Sequence, residues 1–125
     1  MKESQKYAIV DIETTGHSPM NGDRMIQFAL VIMEDWQVTK KFSTFIHPGK
    51  SIPLFIQDLT NITDADVASA QPFEMHAHKI YELLQGTIFV AHNTDFDLSF
   101  LQAEFKRAGL PKWYGKKIDT VELAK

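Results

Sequence analysis

The segment Tyr7-Ala8-Ile9-Val10-Asp11-Ile12-Glu13-Thr14-Thr15-Gly16 decides how the rest of the chain reads. Its apolar residues predict a strand within a sheet, yet it carries two carboxylates. Strand side chains alternate with period two, so Asp11 and Glu13 share one face while Val10 and Ile12 take the other. Neighbouring carboxylates raise each other's pKa and carry a desolvation cost unless a positive charge compensates. A hard divalent cation is a matching partner, because Mg²⁺ and Mn²⁺ take oxygen ligands and commonly combine one or two protein carboxylates with water and phosphate. The plain alternative is a pair of solvated acids at a strand end. Thr14-Thr15-Gly16 then ends the strand in a turn with small hydroxyls and a backbone that lets a ligand come close.

At 125 residues the chain makes one domain with a real core, and its 44% apolar and 23% charged content is ordinary for a globular protein. No apolar run approaches membrane-spanning length, and Met1-Lys2-Glu3-Ser4-Gln5-Lys6 leads into the strand without a signal-peptide pattern. A cytoplasmic protein with no membrane partner is expected. The absence of cysteine excludes disulfides and thiolate metal sites, leaving carboxylates, imidazoles or carbonyls to hold any metal. A net charge of −3 does not by itself suggest a nucleic-acid partner. The distribution of charge is more informative: in one acid-free stretch Lys106, Arg107, Lys112, Lys116 and Lys117 interleave with Trp113 and Tyr114, which suits a solvated loop at least as well as contact with a phosphate backbone.

Beyond the first turn, His17 to Asp23 reads as a loop, and Met25–Met33 as a second, central strand. Trp36 to Ile46 alternates polar and apolar residues around Lys40-Lys41 and predicts a more exposed third strand in an antiparallel meander. Ile52-Pro53 to Leu59 predicts a short helix with Asn61 as its left-handed stop, and Asp64–Ala70 a loop or single helical turn. A second helix is expected from Pro72 to Gln85, capped by Gly86. His76 and His78 on it are two apart, share no face, and read as solvent-facing. Thr87–Ala91 predicts a strand leading directly into a helix that runs to Arg107; Lys117–Thr120 predicts a last short strand and Val121–Lys125 the start of another helix. Three antiparallel strands followed by parallel ones joined through helices give an α/β fold: a mixed sheet of about five strands flanked by helices.

In such a sheet ligands gather beyond the carboxyl ends of the parallel strands, where Thr14 and His92 both lie if the first and fourth strands are neighbours. Asp97, in the first turn of the helix after the fourth strand, would then meet Asp11 and Glu13. Thr94-Asp95-Phe96-Asp97 also fits a capping box, with Thr94 as N-cap and Asp97 three residues on. Both readings stay open, although one carboxylate cannot fully serve both.

Asp11-Ile12-Glu13-Thr14-Thr15-Gly16 and His92-Asn93-Thr94-Asp95-Phe96-Asp97-Leu98-Ser99-Phe100-Leu101 resemble the first and second motifs of the DEDD-type (DnaQ-like) 3′→5′ exonucleases, a ribonuclease H-like family. The likeness extends through Ile52–Ile62, with Asn61 where a glycine is common, through Pro72-Phe73, and through Ile118–Ala124, and so spans nearly the whole chain. Within the family it is nearest to the exonuclease domains of DinG-type helicases and to the ε subunit of DNA polymerase III.

The resemblance implies that Asp11, Glu13 and Asp97 are catalytic acids and ligands of two divalent cations, Mg²⁺ or Mn²⁺. It sets Thr14, Thr15 and Gly16 against a 3′-terminal nucleotide, lets His92 and Asn93 reach the sugar and phosphate, and lets Phe96 pack on the terminal base. An aromatic in that helical turn also suits the core. The implied substrate is a single-stranded DNA 3′ end, with RNA as an alternative, and the implied partner is a helicase or polymerase module in the same chain or complex. A non-catalytic module that binds ends or a partner is the other alternative. The family's third motif, with a general-base histidine five residues before a fourth aspartate, is matched by none of His17, His47, His76 or His78. Residues 1–125 are therefore expected to form the front of a single catalytic domain, lacking its C-terminal helices and having little activity alone.

Overall fold

Apolar residues at every second position of the opening segment give the sheet one dry face. In β1 (Lys6–Thr14) Ala8, Val10, Ile12 and Thr14 are buried, Asp11 is exposed and Glu13 half-buried. The computed structural model describes residues 5–123. β2 (Met25–Glu34) runs antiparallel to β1, and β3 (Gln37–Phe45) antiparallel to β2, joined by Asp35 and Trp36 at φ 54° and 64°. Two successive left-handed residues give a tight hairpin whose twist matches that of its strands. β3 lies at the sheet edge and is mostly exposed, as its lysine-rich alternation requires.

Helices α1 (Leu54–Thr60), α2 (Asp64–Val67) and α3 (Ala77–Leu84) then lead to β4 (Thr87–Ala91). Asn61 takes the left-handed conformation expected of it, with φ 61°. The Asp64 segment is a helical turn closed by a capping box between Thr63 and Asp66. The helix expected from Pro72 is divided: a 3₁₀ turn at Phe73–Met75 precedes α3, and His76 joins the two. His76 does not face solvent. Its ring packs 5.9 Å from that of Phe42, its Nε2 is buried, and burial, with Lys79 nearby, lowers its pKa. α4 (Thr94–Arg107), β5 (Lys117–Asp119) and α5 (Thr120–Leu123) complete the described chain, and the rest of the predicted last helix, Ala124 and Lys125, lies outside it.

The sheet order is β3-β2-β1-β4-β5, with β1 parallel to β4 and β4 parallel to β5. This is the expected five-stranded mixed sheet. Its dry face packs Val10, Ile12, Phe28, Leu30 and Phe89 against Phe73, Ile80, Leu84, Phe100 and Phe105 of the helical layer. The register of β1 on β2 slips beside Glu13 and Thr14, where Met25 and Ile26 are both buried although adjacent. That irregularity turns Ile26 into a second cluster with Ile52, Ile56, Ile62 and Val67, which fastens α1 beside the end of β1. On the opposite face Tyr7, Ile9, Val90 and Ile118 line an open concavity of about 480 Å³ together with Trp36 and Leu123.

Candidate active site

Parallel pairing brings the chemistry to one edge. β1 and β4 pair from Lys6–Thr87 to Ile9–Val90, and β4 and β5 from Phe89–Lys117 to Ala91–Asp119, so the three strands end on the same side. Asp11, Glu13, His92 and Asp119 lie at those ends, and the first turn of α4 returns Asp97 toward them. Asp97 is only 5% exposed and has no hydrogen-bond or ion-pair partner among the described residues. Burial first, and then the charges of Asp11, Glu13 and Asp119, push its carboxyl up to about 7. Glu13 is also raised, by burial and then by Asp11. The acids from the two sequence motifs therefore share one electric field.

They do not form a closed cage: among the described residues no three His, Cys, Asp or Glu side chains are gathered so as to hold a metal ion. The donor set is nonetheless that of a hard cation. It is all carboxylate oxygen, net negative, and contains a buried acid with no counter-charge, whereas Mg²⁺ ordinarily takes only one or two carboxylates and completes its shell with water and phosphate.

The expected capping box at the head of α4 is not made. The N-cap is Asn93, at φ 78°, and its side chain caps nothing. The amides of Asn93 and Thr94 instead donate to Asp119 Oδ1 and Oδ2 at 3.0 and 3.2 Å, and the Val121 amide donates to Oδ1 at 2.9 Å. Burial would raise Asp119, but these amides, with His92 nearby, outweigh it and hold its carboxyl low. Capping from another strand leaves Asp97 free of the duty its sequence position suggested. Asp119 was not among the expected site residues; the available signal was an acid at the end of a further parallel strand.

Beside Glu13 lies a cleft of about 130 Å³ lined by Ile12, Glu13, Thr14, Gly16, His17, Ile56, Leu59, Thr60 and Phe96. Phe96 is half-buried, with its ring 5.1 Å from that of Phe100, so it serves core and cleft together. The α1 contribution, Ile56, Leu59 and Thr60, went unrecognised in the sequence because it depends on how the Ile26 cluster seats that helix. The hydroxyls of Thr14 and Thr15 face inward. Thr14 Oγ1 donates to Gly16 O at 2.6 Å, and Thr15 Oγ1 donates to Asp23 Oδ1 at 3.0 Å while accepting from the Arg24 amide. A Cβ at Gly16 would sit 2.4 Å from the Asp23 carboxylate, so any other residue there would push aside the side chain that holds the turn. His92 is exposed, its Nδ1 3.0 Å from Thr120 Oγ1.

The basic stretch is only partly a free surface. Trp113 is 3% exposed, packs on Phe89 and donates its indole N–H to Leu84 O. Lys117 pairs with Asp95 and Arg107 with Glu104, whereas Tyr114 is exposed under the Lys112 ammonium. No helix among the described residues is long and apolar enough to cross a membrane.

A family model described as Exonuclease (RNase T) matches residues 8–125. The chain is 46% identical over 97% of its length to the 3′-5′ exonuclease DinG of Bacillus subtilis (strain 168), and 40% identical over 95% of its length to the PolC-type DNA polymerase III of Streptococcus sanguinis (strain SK36). It spans 13% and 8% of the lengths of those two proteins. E. coli exonuclease I, solved with an oligonucleotide, superposes with a TM-score of 0.86 over 98% of this chain and 29% of its own, at 19% identity, which shows a common fold. A model match over nearly every residue and close relatives along the full chain agree with the motif acids at one sheet edge: the chain belongs to the RNase T exonuclease family.

Proposed function

We propose that this domain hydrolyses DNA from its 3′ end to 5′-mononucleotides, with Asp11, Glu13 and Asp97 as the metal-directed acids, in a cytoplasmic protein that joins it to a helicase or polymerase module. One observation carries the reading: a buried Asp97 without a donor partner, in the field of Asp11 and of Glu13, which itself lines a cleft. Such an arrangement is costly for folding alone and is repaid when cations and a phosphate enter.

Two Mg²⁺ or Mn²⁺ ions, when bound, supply polarisation of the scissile phosphate and a water of lowered pKa. Asp11, Glu13 and Asp97 would hold them. The remaining work falls to the chain. Gly16, with no side chain, leaves the turn open, while Thr15 and Asp23 fix that turn from behind. Phe96, Leu59 and Ile56 offer an apolar wall to a terminal base, an interaction that tolerates any sequence. His92 and Asn93 stand exposed at the same edge, within reach of sugar and phosphate.

The test is Mn²⁺-dependent shortening of 5′-labelled single-stranded DNA by the longer protein that carries this domain, with release of 5′-mononucleotides. An Asp11→Ala, Glu13→Ala double variant should lose it. Shortening from the 5′ end, or full turnover in the double variant, would overturn the assignment.

A further inference from the structure

We propose that Asp119 is a positioning residue for Asp97: it ties the end of β5 to the first turn of α4 and thereby sets where Asp97 meets Asp11 and Glu13. This rests on the reading of Asp97 as a metal-directed acid.

The first amides of a helix have no partner within it, and an anion is their favourable cap. α4 has no side-chain cap of its own, because Asn93 contributes none. Asp119 supplies one from a different strand, accepting from the Asn93 and Thr94 amides, and fixes its own backbone by accepting from Val121. Adjacent ties run alongside: His92 Nδ1 lies 3.0 Å from Thr120 Oγ1, and Lys117 Nζ donates to Asp95 Oδ1 at 2.7 Å. The β4–α4 and β5–α5 junctions are thus laced together through side chains.

Asp97 follows Thr94 within one helical turn, so fraying of that turn displaces its carboxylate directly. The rest of α4 is held independently by buried Phe100, Leu101 and Phe105 and by the Arg24–Glu104 pair. Removing Asp119 should therefore loosen only the helix head. Its own oxygens are already occupied by three amides, whereas those of Asp97 accept none among the described residues. That contrast separates a residue that positions from one that binds.

The experiment titrates Mn²⁺ into the 125-residue chain, following the free-ion electron paramagnetic resonance signal, with amide hydrogen exchange measured in parallel without metal. Asp119→Ala should weaken Mn²⁺ binding about tenfold, the scale of outer-shell effects on metal sites. It should also speed exchange at Asp97, whose amide makes the first intrahelical bond to Asn93 O, while leaving Phe100–Phe105 protected. Asp119→Asn keeps a carbonyl for the Asn93 and Val121 amides and should lose only about threefold. The proposal is overturned if Asp119→Ala binds Mn²⁺ as the wild type does, or if Asp119→Asn binds as weakly as Asp119→Ala with unchanged exchange, which would make Asp119 itself a ligand. Should the wild type bind no Mn²⁺, the nuclease reading fails separately. Positioning is then judged by exchange alone: faster exchange at the Asp97 amide in Asp119→Ala upholds it, and unchanged exchange there ends it.

Discussion

Asp97 and Glu104 lie two helical turns apart on α4 and are about equally hidden, at 5% and 2% exposure, yet their surroundings are opposite. Glu104 is clasped by arginines. Arg24 donates to it through Nε and Nη2 at 3.1 and 3.0 Å, Arg107 joins from the same helix, and Arg24 also reaches Glu74 at 3.6 Å. Asp97 is faced by three acids and by no base. One buried charge is neutralised by the fold itself; the other, on the proposed function, is left for a cation. Burial alone does not separate a structural acid from a functional one. The sign of the neighbouring charges does, because an uncompensated carboxylate costs stability that folding has no reason to retain.

The contrast is broken most forcefully at Glu104. Glu104→Gln leaves the part-buried Arg24 guanidinium half-paired, with Glu74 still 3.6 Å away, and should cost about 3 kcal/mol, the low end for breaking a buried pair, read as a lowered midpoint in chemical denaturation. Joint replacement, Arg24→Met with Glu104→Leu, should recover most of that loss, since an apolar pair of similar volume can stand in for a buried ion pair.

Asp97→Asn should behave in the reverse sense. Relief of repulsion should raise metal-free stability at pH 8 by about 1 kcal/mol, while Mn²⁺ affinity measured by calorimetry should drop by about a hundredfold, or ~3 kcal/mol of binding. If both substitutions destabilise alike, the distinction between the two acids collapses.

The pH dependence sharpens the same point. Asp97 is raised from 3.8 to about 7, so the folded state keeps a proton that the unfolded chain has already released. The resulting stability is present at low pH and is lost as pH rises through that window. Metal-free wild type should lose about 2 kcal/mol between pH 5 and pH 8, and Asp97→Asn should lack this slope. The smallest effect is expected outside both networks: Asn61→Gly, at a left-handed position either residue adopts, should shift stability by no more than about 0.5 kcal/mol.

Local patterns in the sequence settled most of the elements, though not the break at His76, together with the pairing of Asp11 with Glu13 on one face, the left-handed stop at Asn61 and the motifs of the family. Period-two alternation, turn chemistry and motif spacing are properties of residues near one another along the chain, so they can be read without coordinates. Which acid caps α4 was decided by tertiary structure. Thr94 and Asp97 had the spacing of a capping box, but Asp119 lay within reach of the amides from the neighbouring strand, and Asp97 was left to face Asp11 and Glu13. The burial of Trp113, the inward hydroxyls of Thr14 and Thr15, and the seating of α1 beside Glu13 by Ile26 were decided in the same way. Each depends on groups far apart in sequence meeting at hydrogen-bonding or packing distance, and that competition between partners is resolved only when the sheet has brought the strands together.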